Sequence, residues 1–252
     1  MNDIVALPLA RSGRFDVFDP RARLLAVIVG ALVIVSLDHT KAQALAFAGS
    51  AALLWISGNL DRAFGRRLLA LESLMLVLLL TLPFSVPGSP VAQLGPLTVS
   101  RDGLATALGI ALEANAVVML VGALLGSLSP IALGHALARL GVPDKLVHLL
   151  MLTVRYIDVL ERELARSRRA LRARAFISRA DRHTWRTLGW LIGMLLVRSA
   201  ERAERVAAAM RCRGFTGRLY LLDDLQWRTP DSALCAATLI GAVMLLGVEV
   251  SA

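Results

Sequence analysis

Apolar residues gather into five long runs, at 24–37, 42–60, 68–86, 103–128 and 233–250, each bounded by a short polar stretch. A helix crossing the hydrocarbon core of a bilayer needs roughly 20 mainly apolar residues, with about 17 to 25 tolerated. The first run is short of that and the other four approach it. The pattern predicts an all-α, polytopic membrane protein of about five transmembrane helices. It divides the chain into an N-terminal membrane region with four spans (1–133), a cytoplasmic helical region (134–232) and a C-terminal transmembrane helix (233–252).

Between the fourth and fifth runs the period changes. Leu146, Leu150, Thr153, Ile157, Leu160, Leu164 and Leu171 are spaced by three, four or seven, while Asp158, Arg162, Arg166, Arg169 and Arg172 fall on other faces. That spacing predicts one long helix with a single apolar stripe. A second amphipathic helix is predicted over about 187–210, with Leu188, Ile192, Leu195, Ser199, Ala203, Val206 and Met210 on one side. Its first eleven residues, 187–197, are apolar enough to touch lipid but too few to span it. Residues 198–205 alternate in sign through Glu201 and Glu204, and need water or a protein partner.

Composition strengthens the membrane reading. With 56% apolar residues and a mean hydropathy of +0.64, the chain is too hydrophobic for a surface facing only water. The net charge of +9 is concentrated: residues 134–232 hold 19 Lys and Arg against 10 Asp and Glu, and the rest of the chain has 9 of each. Such a stretch suits nucleic acid, anionic lipid or an acidic protein surface. Lys and Arg in short loops also set orientation. Arg21, Arg23, Arg62, Arg66 and Arg67 mark cytoplasmic ends, whereas the connection with Asp38, His39 and Lys41 and the Pro/Gly-rich stretch 87–101 are expected outside. The N-terminus and the basic region are then cytoplasmic and the C-terminus outside. Residues 1–20 lack an apolar h-region, so no cleaved signal peptide is expected there. Cys212 and Cys235 form no CxxC and read as small apolar residues.

The two amphipathic helices end in nearly the same five residues, Arg172-Ala173-Arg174-Ala175-Phe176 and Arg211-Cys212-Arg213-Gly214-Phe215. In the shared pattern R-x-R-small-F, a planar guanidinium beside a small residue can enter a cleft of a partner and bind a carboxylate bidentately. The following phenylalanine would supply an apolar plug. The plainer alternative is capping, with an arginine complementing the helix macrodipole and Gly214 as an ordinary residue just past the helix end. Duplication on consecutive helices favours docking.

The segment from Val154-Arg155-Tyr156 through Arg174-Ala175-Phe176, followed by Met210-Arg211-Cys212-Arg213-Gly214-Phe215-Thr216-Gly217-Arg218, resembles the transmembrane T component of energy-coupling factor (ECF) transporters, of the type of the cobalt transporter subunit CbiQ and its nickel counterpart. The resemblance covers residues 15–252 and is most specific over 155–218. It implies two cytoplasmic coupling helices whose alanine-arginine-small ends dock into grooves of two ATPase subunits. Carried onto this chain, the ATPase-coupling residues are Arg172, Ala173, Arg174 and Ala175, and Arg211, Cys212, Arg213 and Gly214, with Arg174 and Arg213 as the docking arginines. Ala175 stands where Gly or Ser is common and Cys212 where Ala is common; both are small. Further implied are a CbiM-like substrate-binding membrane subunit (S component), ATP and Mg on the ATPase (A component) subunits, no cofactor on this chain, no nucleic acid, and residence in the lipid bilayer of a bacterial inner membrane.

The residues agree with a chain that is not itself an enzyme. No G-x-x-x-x-G-K-[ST] loop occurs, and His39, His135, His148 and His183 are scattered without carboxylates or thiols at metal-ligand spacing. Two carboxylates fall within apolar runs. Glu72 is close enough to Arg67 to reach the interface, while Glu113 lies deeper and is a functional candidate unless, with Asn115 nearby, it serves as helix glue. Rival readings are a membrane-anchored basic protein binding nucleic acid or anionic lipid, an ECF T component for another micronutrient, and a membrane enzyme, for which no nucleophile, base or metal constellation is found.

Overall fold

The computed structural model describes residues 14–58, 62–85, 90–94, 97–177, 179–217 and 227–251. The expectations for residues 1–13, Ser89, Arg218 and Ala252 lie outside them. In chain order a 3-10 turn (Arg14–Val17) precedes α1 (Pro20–Val35), α2 (Thr40–Ser57), α3 (Arg62–Ser85), β1 (Pro90–Leu94), β2 (Leu97–Ser100), α4 (Arg101–Leu125), α5 (Pro130–Arg139), α6 (Asp144–Ala173), α7 (Arg182–Cys212) and α8 (Thr229–Ser251). The protein is an all-α membrane protein whose only strands among the described residues are the antiparallel pair β1–β2. It forms two compact units, residues 1–136 with 224–252, and residues 137–223.

The first unit is a helix bundle whose ends are set by local chemistry. Asp19 accepts the Arg21 N–H at 2.9 Å and Pro20 opens α1, where its missing N–H costs nothing. Gly58, at φ 71°, ends α2 in the left-handed conformation. Ser100 caps α4 by accepting the Gly103 N–H. α4 runs beside α1, α2 and α3, and the core gathers Ala26, Val27 and Ile34 of α1, Ala42 and Ala46 of α2, and Ala116, Leu120 and Leu124 of α4. Glycine permits the close approach at Gly122. A Cβ there would lie 2.3 Å from the Phe64 ring of α3.

Polar links fasten this bundle at both ends. Arg23, 1% exposed, donates to the Leu124 carbonyl at 2.6 Å, to Ser127 Oγ at 2.6 Å and to Asp16 Oδ1 at 3.1 Å, and Ser127 also donates to Asp16 at 2.6 Å. Arg23 thus satisfies a carbonyl left open at the C-terminus of α4, and is an internal fastener rather than a loop charge. The buried carboxylate of Asp231 accepts the Asp19 N–H at 2.6 Å and the Arg228 N–H at 2.8 Å, joining the starts of α1 and α8. At the other end of α8, Glu249 accepts the N–H groups of Asp38 and His39 at 2.9 and 3.1 Å. These groups lead into α2, whose N-cap residue His39 makes no side-chain cap of its own.

Large apolar side chains point outward from this unit: Leu32, Trp55, Leu76, Leu80, Val243 and Met244 are all exposed. Lipid is the solvent that makes such a surface favourable. Among the described residues, α4 and α8 are long and apolar enough to cross a bilayer. α1 spans 16 residues and α3 carries Arg62, Arg66, Arg67 and Glu72 in its first half. Asn115 of α4 donates to Glu72 at 2.8 Å and to the Ala111 carbonyl at 3.0 Å. The intrabundle carboxylate that Asn115 serves is therefore Glu72, not Glu113.

Candidate functional site

The second unit contains α6 and α7. Thr153, Ile157 and Leu160 of α6 and Ser199, Ala203 and Val206 of α7, all on the predicted stripes, line one shared cavity of about 1040 Å³. The N-terminal half of α7 departs from its predicted stripe: Leu188, Leu191 and Leu195 are partly covered, while Ile192 is exposed. Glu163 of α6, 9% exposed, pairs with Arg198 of α7 and more loosely with Arg166 at 3.8 Å.

Both helices end in the same hydrogen-bonded device. After α6, the Phe176 N–H donates to the Leu171 carbonyl at 3.1 Å and the Ala175 N–H to the Arg172 carbonyl at 3.0 Å. After α7, Phe215 donates to Met210 at 3.0 Å and Gly214 to Arg211 at 3.0 Å. These are two Schellman motifs in equivalent register, with Arg174 and Arg213 as the cap residues. The motif requires a left-handed residue just past the cap, and Ala175 and Gly214 sit there at φ 57° and 76°. The small residue of R-x-R-small-F is thus explained by backbone conformation before any contact with a partner. Ala175 is the one non-glycine residue with positive φ among the described residues.

The phenylalanines turn back onto the chain instead of projecting as plugs. Phe215 stacks on His148 near the start of α6, with ring centroids 5.0 Å apart and planes at 26°. Phe176 packs against His183 in the first turn of α7 at 6.3 Å and 49°. Each tip is therefore seated on a histidine from the beginning of the other helix. Sequence reading missed both positioning histidines; the available signal was that each lies in the opening turns of the helix facing a motif.

This pairing fixes the spacing of the tips. Phe215 sits at His148, and α6 continues from there to Ala173, which at 1.5 Å per residue is roughly 40 Å. The two arginine-bearing ends thus lie at opposite ends of an antiparallel helix pair. Arg172, Ala173, Arg174, Ala175, Arg211, Cys212, Arg213 and Gly214 are all exposed. Among the described residues, no hydrogen bond or ion pair engages the side chains of Arg172, Arg174, Arg211 or Arg213. The site can offer two rigidly capped guanidinium pairs to acidic partners about 40 Å apart.

Comparison with known proteins gives this geometry its setting. Residues 15–221 match the CbiQ family, described as cobalt transport protein. The chain is 28% identical to the energy-coupling factor transporter transmembrane protein EcfT of Listeria innocua, over 86% of each chain. It is 30% identical to the cobalt transport protein CbiQ of Rhodobacter capsulatus, over 68% of this chain and 72% of that one. It is 29% identical to EcfT of Brevibacillus brevis, over 79% of each. The chain belongs to the CbiQ/EcfT family of transmembrane components of ECF-type transporters.

Proposed function

We propose that this chain is the coupling scaffold of an importer for divalent cobalt, with nickel the next candidate, and that it transmits closure of two ATPase subunits to a separate substrate-binding membrane subunit. ATP and Mg belong to the ATPases. Residues 134–232 form the cytoplasmic coupling region, with four spans before it, one after it, the N-terminus inside and the C-terminus outside. Arg174 and Arg213, flanked by Arg172 and Arg211, each grip one ATPase. The observation that carries this reading is the pair of equivalent capped ends, about 40 Å apart, with exposed arginines that no side-chain partner engages among the described residues. One small partner cannot bridge that distance, whereas two copies of one partner can take one end each. Cobalt as cargo rests on the family description and the Rhodobacter relative.

The test is ATP-driven uptake of radiolabelled cobalt by cells carrying Arg174→Ala, Arg213→Ala or both, with the ATPases followed through detergent purification. Each single change is expected to cut uptake severely, and the double change to release the ATPases while membrane insertion persists. Truncating one partner of a desolvated interface ion pair costs about 2 to 5 kcal/mol, against under about 1 kcal/mol for an exposed arginine. Normal uptake and normal co-purification in the double variant would reduce the motif to helix capping.

A further inference from the structure

We infer that Glu72 binds a proton in the interior of the bilayer and forms with Asn115 a neutral acid–amide pair that fastens α3 to α4. Asn115 is 7% exposed, and the Ala111 carbonyl fixes which way its amide points, since only Nδ2 can face a carbonyl oxygen. Nδ2 therefore gives one hydrogen to Ala111 at 3.0 Å and the other to Glu72 Oε1 at 2.8 Å. Oδ1 is left buried with no donor among the described residues. A buried acceptor without a donor is costly, and this one is closed to solvent, so its donor has to come from a group already beside it. Glu72 is that group. The two oxygens of a carboxyl are spaced much as the nitrogen and oxygen of an amide are. An O–H on Oε2 can donate to Oδ1 while Oε1 keeps its hydrogen from Nδ2, closing a ring of two hydrogen bonds. An ionised carboxylate has no hydrogen to give.

Depth in the membrane points the same way. Asn115 is the fifteenth of the 25 residues of α4, which at 1.5 Å per residue puts it about 21 Å from one end and about 15 Å from the other. In a helix long and apolar enough to cross a bilayer this is the hydrocarbon interior, and the bond to Asn115 brings Glu72 to the same level. Glu72 stands exposed on α3 in line with Leu69, Leu76 and Leu80, a face whose solvent is lipid. Among the described residues no Lys, Arg or His pairs with it. A lone charge in such a medium is neutralised rather than tolerated. Held by Asn115, the carboxyl does not extend to the interface beside Arg67 that its place in the sequence suggested. The inference rests on the membrane reading of α3 and α4, and on neither the cargo nor the ATPases.

The experiment uses the full chain in lipid nanodiscs at neutral pH. The infrared difference between wild type and Glu72→Gln is expected to show loss of a carboxylic-acid C=O stretch, with the carboxylate bands unchanged. In Asn115→Leu that stretch should move to the higher frequency of an acid without a hydrogen-bond partner. The apolar reagent dicyclohexylcarbodiimide should modify the wild-type peptide containing Glu72, read by mass spectrometry. There the carboxyl oxygen attacks the carbodiimide carbon as the acid proton passes to a nitrogen, and the acyl group then migrates to nitrogen as a stable acylurea. A cationic, water-soluble carbodiimide should leave Glu72 unmodified. The amide of Glu72→Gln can make the same two hydrogen bonds, so this variant should melt with the wild type, whereas Glu72→Ala should melt lower. Loss of a carboxylate band in Glu72→Gln overturns the proposal, as does modification by the soluble reagent alone. An unmoved C=O stretch in Asn115→Leu, or Glu72→Gln melting as low as Glu72→Ala, overturns the pair.

Discussion

Ala175 holds a backbone conformation that its Cβ disfavours, and Gly214 holds the equivalent conformation at little steric cost. A left-handed non-glycine residue is strained by roughly 1 to 2 kcal/mol, part of which glycine returns through its greater freedom when unfolded. Ala175→Gly is therefore expected to stabilise the protein by about 0.5 to 1 kcal/mol, and Gly214→Ala to destabilise it by about 1 kcal/mol, read from thermal unfolding in detergent. A pure docking role for the small residue would leave both melting temperatures unchanged. Arg23 lies at the other extreme of burial, and Arg23→Ala strips Leu124, Ser127 and Asp16 of a donor within the bundle. A loss of about 3 kcal/mol is expected, seen as a much reduced yield of folded protein. Sequence alone placed all eight of these residues at helix ends, because the repeat is written in residue types. It could not show that the small position is a left-handed cap, since φ is set by where the helix stops. Nor could it find Arg23: positive charge beside an apolar run ordinarily marks a membrane edge, and only the folded bundle brings Leu124 to its guanidinium.

At the scale of elements, the long helices were the most legible. The stripe from Leu146 to Leu171 lies within α6, and residues 187–210 lie within α7, because a 3.6-residue period sustained over several turns has few competing interpretations. Shorter elements escaped. α5 has ten residues, too few to register as a span, although Ser129 before Pro130 is a start signal and does accept the Ala132 N–H at 3.1 Å. The β1–β2 pair fell within a stretch read only as an outside connection; its Gly95-Pro96 dipeptide was the available turn signal. The histidine seats make their own prediction. His148→Ala removes the stacking partner of Phe215 and should loosen the α7 tip while leaving the α6 tip intact, and His183→Ala should do the reverse. With a spin label at Cys212 or at Ala173→Cys, each histidine change is expected to raise mobility at one tip only. Equal mobilisation of both would mean that the helices, and not the tips, had separated.

For the whole molecule, membrane topology is the broadest test. With cysteines introduced singly into a Cys212→Ser, Cys235→Ser background, Arg62→Cys and Asp181→Cys should react with impermeant maleimide only after access to the cytoplasm, and Ser89→Cys and Ala252→Cys from outside. Labelling of Ser89→Cys only from the cytoplasm would invert the arrangement. Membership in the family predicts in addition that mild detergent extracts this chain together with ATPases and a further membrane subunit. One feature of the first unit also bears on how the protein is made. The amides leading into α2 wait for Glu249, 211 and 210 residues later, and Asp19 waits 212 residues for Asp231. All of residues 137–223 are translated before either acceptor leaves the ribosome, so this bundle closes last although most of its helices are synthesised first. Chains halted before α8 should accumulate as protease-sensitive membrane intermediates, and α8 supplied as a separate polypeptide should rescue them.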